Sequence, residues 1–215
     1  MTLELTRQTG SGSRNKKPDK REAIVEAARG LFTTEGYETT TIADVARKAG
    51  VAVGTVYLYF KSKPELLEAV RGNWDSEFVQ YLAELNLQGV PYHLRARPIV
   101  EACFRMCEEH EDMVQLMGLP AQMIGVHEYK TGTEGGQIYA AIKSILDEGI
   151  AAGVFREIDT GAGAIIGFGM VHNSLHQCFD VEGGKNQERY IDALTDTFNH
   201  WLLRPEFLKL LYPES

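Results

Sequence analysis

The 215-residue chain reads as all-α, and three observations predict it. Apolar residues recur at i, i+3, i+4 and i+7 through the first third, the stripe of a helix that buries one face. Hydroxyl and carboxylate residues stand just before these stripes and glycines just after them, as helix starts and stops require. No stretch keeps the period-2 alternation of a half-buried strand, so no sheet is expected. The predicted architecture is an N-terminal three-helix unit followed by a C-terminal helical bundle.

The first stripe is Ile24, Ala27, Ala28, Leu31 and Phe32. Gly36 follows it, where a left-handed C-cap is wanted. Thr41 then supplies a hydroxyl N-cap, and Asp44 three residues on is the reciprocal carboxylate of a variant capping box. Ile42, Val45, Ala46 and Ala49 form a second short stripe, closed by Gly50. Only Val51 to Val53 separate that glycine from Gly54 and the next apolar pair, Val56 and Phe60. Two short helices across a tight glycine-bearing turn make a helix-turn-helix, whose second helix enters the major groove of DNA. With Val56 and Phe60 inward, Thr55, Tyr57, Leu58 and Tyr59 take much of the outer surface. The alternative for Tyr57 is a half-buried place in the core, and the two roles are compatible. Ser62 and Glu65 form another box around Pro64, so a fourth helix begins at about Lys63. Lys61 and Lys63 then stand beside the recognition helix, where phosphates would lie.

Leu66, Leu67, Val70, Trp74, Phe78, Tyr81, Leu82 and Leu85 keep helical spacing, so the fourth helix is predicted over 63–86. QGVPYHLRARP reads as a loop. Further helices are predicted over 99–110, 111–126 and 135–152, with TGTEGG as a connector. Two late segments, TGAGAIIGFGMVHNSLHQCF and ERYIDALTDTFNHWLLRP, have the character of dimerisation helices. Gly163 and Gly167, four apart, admit a close neighbour, and Leu194, Phe198 and Trp201 share one side of the second segment. A pair of such helices from each subunit makes a four-helix bundle in an isologous homodimer. The alternative is that they are internal core helices of a monomer.

The run AARGLFTTEGYETTTIADVARKAGVAVGTVYLYFKSKPELL resembles, almost position by position, the DNA-binding domain of the TetR family of bacterial transcriptional regulators. The resemblance implies a homodimer whose two recognition helices meet successive major grooves of a palindromic double-stranded operator. It also implies a divergent C-terminal domain that binds a small effector and lowers operator affinity. Residues 1–18 would be a disordered basic arm, 19–65 the DNA-binding domain, and 66–215 the effector-binding and dimerisation domain. Carried over by position, Thr41 meets a phosphate, and Val53, Gly54 and Thr55 approach base edges. Tyr57 meets phosphate or a thymine methyl, Tyr59 the backbone, and Lys63 a phosphate. Leu58 stands where many relatives have an aromatic or polar residue, and Val53 and Gly54 offer no side-chain hydrogen bonds. Direct readout is thin, leaving Thr55, thymine methyls and DNA shape to supply preference. The family's pocket lies between the linking helix and its neighbours, where Trp74, Phe78, Phe104, Met113, Met117, Met123, Tyr139 and His172 are candidate lining residues. Methionines and aromatics suit an adaptable, largely apolar site, and equally suit plain core.

Composition agrees with this reading. Hydrophobic content of 44% and charged content of 24% are ordinary for a globular protein. No run approaches the roughly 18 apolar residues of a membrane helix, and the N-terminus lacks the apolar core of a secretory signal. Three cysteines without an export signal fit a reducing cytoplasm. The net charge of −8 is unevenly shared: residues 1–71 hold 12 Lys and Arg against 9 Asp and Glu, and the remainder 10 against 21. A head at +3 can sit on phosphate while a body at −11 faces away. Cys103, Cys107 and His110 share one helix face, as do His172 and His176, at spacings that zinc or a thiol switch could use. Tight Cys-x-x-Cys pairs are lacking, so no metal and no cofactor is expected. There is no Gly-x-Ser-x-Gly elbow, phosphate-binding glycine loop or His-Glu-x-x-His, so no catalytic residue is named and no enzyme expected. The readings left are a ligand-responsive repressor and an architectural DNA-binding protein without an effector.

Overall fold

A computed structural model of the chain describes residues 19–85, 87–117 and 136–213. Ten α-helices are described: α1 Lys20–Thr34, α2 Ile42–Lys48, α3 Val53–Tyr59, α4 Lys63–Glu84, α5 Ala96–Glu109, α6 Glu111–Met117, α7 Gln137–Ala151, α8 Thr160–His176, α9 Gln187–Leu202 and α10 Pro205–Leu211. Among the described residues the β pairing is a lone bridge between Phe155 and Leu203. The fold is all-α.

The head forms by local rules. Asp19 caps α1 by accepting from the Arg21 N–H at 3.2 Å. Gly36, at φ +91°, turns the chain out of α1. Thr41 Oγ1 accepts from the Asp44 N–H at 3.2 Å and the Asp44 carboxylate accepts from the Thr41 N–H at 3.1 Å, closing the box. The Thr41 hydroxyl, which donates to the same carboxylate, and then the Thr41 N–H hold the Asp44 carboxyl below its ordinary range. Gly50, at φ +67°, makes the turn between α2 and α3. Ser62 caps α4 through the Glu65 N–H, but the Glu65 carboxylate accepts from the Lys61 N–H at 2.6 Å, one residue earlier than a reciprocal box requires.

Ile24, Ala28, Val45, Val56, Leu66 and Leu67 are sealed in the core of the head. That core runs without a break along α4 into the body, through Val70, Trp74 and Phe78 to Phe104, Met113 and Leu175. The expected boundary between 65 and 66 therefore falls inside the first turn of α4. At 22 residues, α4 is about 33 Å long, enough to serve both parts. Helix α1 packs on both α4 and α6.

A second, smaller core holds Leu146, Val154, Phe155 and Leu203. Arg156 N donates to Leu202 O at 2.9 Å and Arg204 N to Val154 O at 3.0 Å, pinning the start of α10 to the 154–156 segment. The structure departs from expectation in three places. The presumed loop before α5 holds a 3-10 turn, Tyr92–Leu94, and α5 starts at Ala96. α8 ends in a π-helical turn, Gln177–Val181. α10 has too few residues to show a period of its own, and it is held by Leu203 and Phe207 packing in the second core. The helix predicted over 111–126 is described to Met117; the rest of that span lies outside the described residues.

Candidate nucleic-acid interface and ligand cavity

Helix α3 turns Val56 and the following Phe60 inward and leaves the rest outside. Tyr57 is 53% exposed and Leu58 83% exposed, with Val53 and Tyr59 also outside, so Tyr57 does not belong to the core. A Cβ placed on Gly54 would meet nothing within 4 Å, so this turn of the helix is open to a close approach. Thr55 is half-buried beside them. The outer face of α3 is thus apolar and phenolic, without a charged group. Thr41 is exposed, but its hydroxyl is engaged, donating to Asp44 Oδ2 at 2.5 Å as well as capping α2.

The two lysines differ. Lys61 is exposed. Lys63 folds back: its ammonium donates to the carbonyls of Tyr37 at 2.8 Å and of Glu38 and Thr40 at 3.2 Å, and lies 4.4 Å from the Tyr37 ring centroid. A lysine has three N–H donors, and all three are committed to the α1–α2 loop. This lysine closes the loop that presents the head, a role the sequence spacing did not reveal. Lys63→Ala is expected to cost on the order of 1–3 kcal/mol of stability by stranding those carbonyls, and a thermal melt checks it.

Beyond the head, α4, α5, α7, α8 and α9 line a partly open cavity of ≈ 190 Å³. Of the lining residues named from sequence, Trp74, Phe78 and His172 are on its wall. Phe104 and Met113 are not; they are sealed in the core, Phe104 against Phe179 and Tyr190 with centroids 6.2 and 6.4 Å away. Tyr139 packs behind the wall on Phe168, at 5.0 Å. Met123 and the side chain of Met117 lie outside the described residues. Leu82, Ile99, Ile142, Phe168 and Leu202 complete the apolar wall.

Asp75, which the sequence reading passed over, also lines the cavity and is only 8% exposed. Burial pushes its carboxyl up to about 7, while Arg71 pulls it down and Glu68 raises it. The signal was present: Asp75, Phe78 and Leu82 stand at i, i+3 and i+7 on one face of α4. Trp74, next to it, faces two ways. Its ring lies on the cavity wall, yet the Arg29 guanidinium of α1 is 5.6 Å from its centroid, and Arg29 pairs with Glu77 at 3.0 Å.

Cys103 and Cys107 are buried on the same wall, and burial pushes both thiols up to about 12. Such thiols stay protonated and unreactive at neutral pH. His110 does not join them; its ring is edge-on to Trp74 at 5.2 Å. Among the described residues no group of three or more His, Cys, Asp or Glu could hold a metal.

Of the residues expected at a subunit interface, Gly163, Gly167 and Leu194 are buried within the chain, and Phe198 and Trp201 are half-buried. A Cβ on Gly163 would sit 3.1 Å from Leu146 and from Ile158, and one on Gly167 would sit 3.6 Å from Phe198. Leu194 is buried, and the Phe198 and Trp201 rings lie tilted to one another with centroids 6.3 Å apart. The small residues thus bring α8 close to α7 and α9 of the same chain. The large apolar side chains that α8 leaves outside are Ile165 and Ile166, 51% and 53% exposed.

Comparison with known proteins places this geometry. Residues 24–70 match the family described as bacterial regulatory proteins, tetR family. The HTH-type transcriptional regulator YhgD of Bacillus subtilis is 29% identical over 143 residues, 66% of this chain and 74% of that protein. The HTH-type transcriptional repressor KstR2 of Mycobacterium tuberculosis is 29% identical over 140 residues, 64% of this chain and 70% of that protein. The crystal structure of the transcriptional regulator FadR from Bacillus subtilis in complex with stearoyl-CoA superposes with a TM-score of 0.61 at 19% identity, covering 81% of this chain and 95% of that one. Such a likeness is one of fold.

Proposed function

We propose that this chain, which belongs to the TetR family of bacterial transcriptional regulators, is a homodimeric cytoplasmic repressor released from a palindromic operator by a small, largely apolar effector. One observation carries the reading: a single helix serves both tasks. The first turns of α4 supply Leu66, Leu67 and Val70 to the core of the head, and its later turns supply Trp74 and Phe78 to the cavity wall. A ligand that displaces Trp74 therefore works directly against Arg29 and α1. An architectural DNA-binding protein has no use for such a cavity.

In this reading residues 19–65 read DNA and 66–215 hold effector and partner. Val53, Gly54, Thr55 and Tyr57 face base edges, and Thr41, Tyr59 and Lys61 face the backbone. Lys63 adds charge there while holding the α1–α2 loop. No helix among the described residues is long and apolar enough to cross a membrane. The dimer face is the outer side of α8, where Ile165 and Ile166 offer the apolar area that a second copy would cover. Ile166→Glu is expected to leave a folded monomer in sedimentation velocity, whereas Gly167→Ala, which meets only ordinary contact distances, should stay dimeric.

Cavity size narrows the effector. A volume of ≈ 190 Å³ exceeds the roughly 150 Å³ that accepts benzene and falls short of the roughly 300–1,000 Å³ of drug-sized sites. It suits a single ring or short chain, in contrast to the stearoyl-CoA of the FadR complex. The test is a thermal-shift screen of small apolar and hydrophilic compounds, with hits titrated against the protein on an operator selected from random duplexes. Apolar hits should stabilise the protein and release the DNA, and Val171→Phe, which fills the cavity, should bind DNA but ignore them. Stabilisation by strongly charged hydrophilic compounds alone, or operator binding indifferent to every hit, would overturn the reading.

A further inference from the structure

We propose that the effector carries a protonated amine beside its apolar body, and that Asp75 is the anchor that selects it. The inference rests on the effector reading above and names the chemistry that the same cavity would choose. Its basis is a mismatch in the wall. The wall is mostly aliphatic and aromatic, yet α4 places a carboxylic acid in it, 8% exposed. Among the described residues no hydrogen bond contributes to the ionisation of that carboxyl, and the charges that act on it are those of Arg71 and Glu68. Arg71, one turn earlier on α4, pulls on it electrostatically and pairs with Glu68 at 3.8 Å. A buried carboxyl without a partner is costly, and a structure that retains one in a cavity wall points to a ligand that completes it.

The other charged or titratable groups on the wall are already engaged. Arg95 donates through Nε to the Val90 carbonyl at 2.8 Å, and its guanidinium lies 3.8 Å from the Tyr92 ring centroid. His172 stacks on Phe168 at 5.3 Å, and His176 Nδ1 is paired with Asp180. Cys103 and Cys107 stay as neutral thiols. Among the described residues of the wall an anionic ligand would find no uncommitted cation as deeply buried as Asp75, whereas a cation finds an unclaimed carboxylate. Burial has raised that carboxyl to about 7, and an ammonium brought within contact distance would draw the proton off and restore the charged form. Trp74 and Phe78 flank it on α4, and aromatic faces also attract an ammonium. The class is therefore a small aralkyl- or alkylamine, with its ammonium toward α4 and its apolar body toward α5, α7 and α8.

The probes are three compounds of nearly one shape: phenethylamine, phenethyl alcohol and phenylacetate. Each is titrated calorimetrically into the full-length protein at pH 8, and into Asp75→Asn and Asp75→Ala. The wild type is expected to bind the amine at least tenfold tighter than the alcohol and to reject the carboxylate. Asp75→Asn should bring amine and alcohol within a factor of two of one another, while the alcohol keeps its wild-type affinity. Asp75→Ala should do the same, which separates loss of charge from any change of wall shape. Equal affinity for amine and alcohol, preference for phenylacetate, or an amine preference that survives in Asp75→Asn would each overturn the anchor while leaving an apolar effector site in place. Binding of none of the three would overturn the anchor and the effector reading together.

Discussion

Tyr57→Ala is expected to leave the protein fully folded and to weaken operator binding by on the order of 10–100-fold, the range that one base or backbone anchor supplies. The size follows from where the ring stands. Tyr57 is 53% exposed at the centre of α3, whose outer face has no charged side chain, so few other contacts compensate for its loss. The fold is insulated because Val56 and Phe60, not Tyr57, tie α3 to the core of the head. Fluorescence anisotropy at about 0.15 M salt measures the affinity, and a thermal melt reports the fold. Unchanged affinity would remove α3 from the interface. Lys63→Ala is a poorer probe of the same interface, because its ammonium holds three carbonyls of the α1–α2 loop.

Asp75→Asn is expected to stabilise the ligand-free protein at pH 8 by a few kcal/mol and to leave it almost unchanged at pH 4. An ordinary aspartate ionises near 3.9, whereas burial raises this carboxyl to about 7 in the folded chain. Between those values the native state holds a proton that the unfolded state has lost, so stability falls as pH rises through the window. Above about 7 the native state carries the buried charge and the full penalty applies. A shift of roughly three units corresponds to about 4 kcal/mol at most. Asparagine keeps the shape and removes the charge. His172, His176 and Arg95 share the cavity wall, so the comparison is the difference between variant and wild-type melting temperatures across pH 4 to 8. A difference that does not grow with pH would mean that this carboxyl is not desolvated in the native state.

The head was legible residue by residue because its signals are local. Thr41 with Asp44, Gly36, Gly50 and Ser62 act on neighbours within four or five positions, and the chain uses each where the spacing predicts. The Glu65 carboxylate chose the Lys61 N–H instead of the cap residue, a shift of one position that spacing cannot resolve. The long helices of the body were legible as helices for the same reason. α10 was not, because seven residues carry too little period to separate from a loop.

Side-chain destinations across helices were another matter. Gly163 and Gly167 read as small residues awaiting a close neighbour, and within the chain they meet helix α9 and Leu146 of α7. Periodicity identifies a face but not what the face meets. Phe104 and Met113 are apolar at helical spacing just as Trp74 and Phe78 are, yet only the second pair lines a void. Whether an apolar residue packs or lines depends on volumes brought together from five helices, information spread over more than a hundred residues.

By itself the sequence determined the all-α class, the helix-turn-helix, the outward set on α3 and the uneven charge between head and body. Each of these depends on residues near one another in the chain or on composition alone. Only the tertiary structure decided that Lys63 closes a loop, that Trp74 touches both cavity and Arg29, and that Asp75 is buried in the cavity wall. Those are consequences of long-range packing, in which the energy of a group depends on what surrounds it and not on what precedes it.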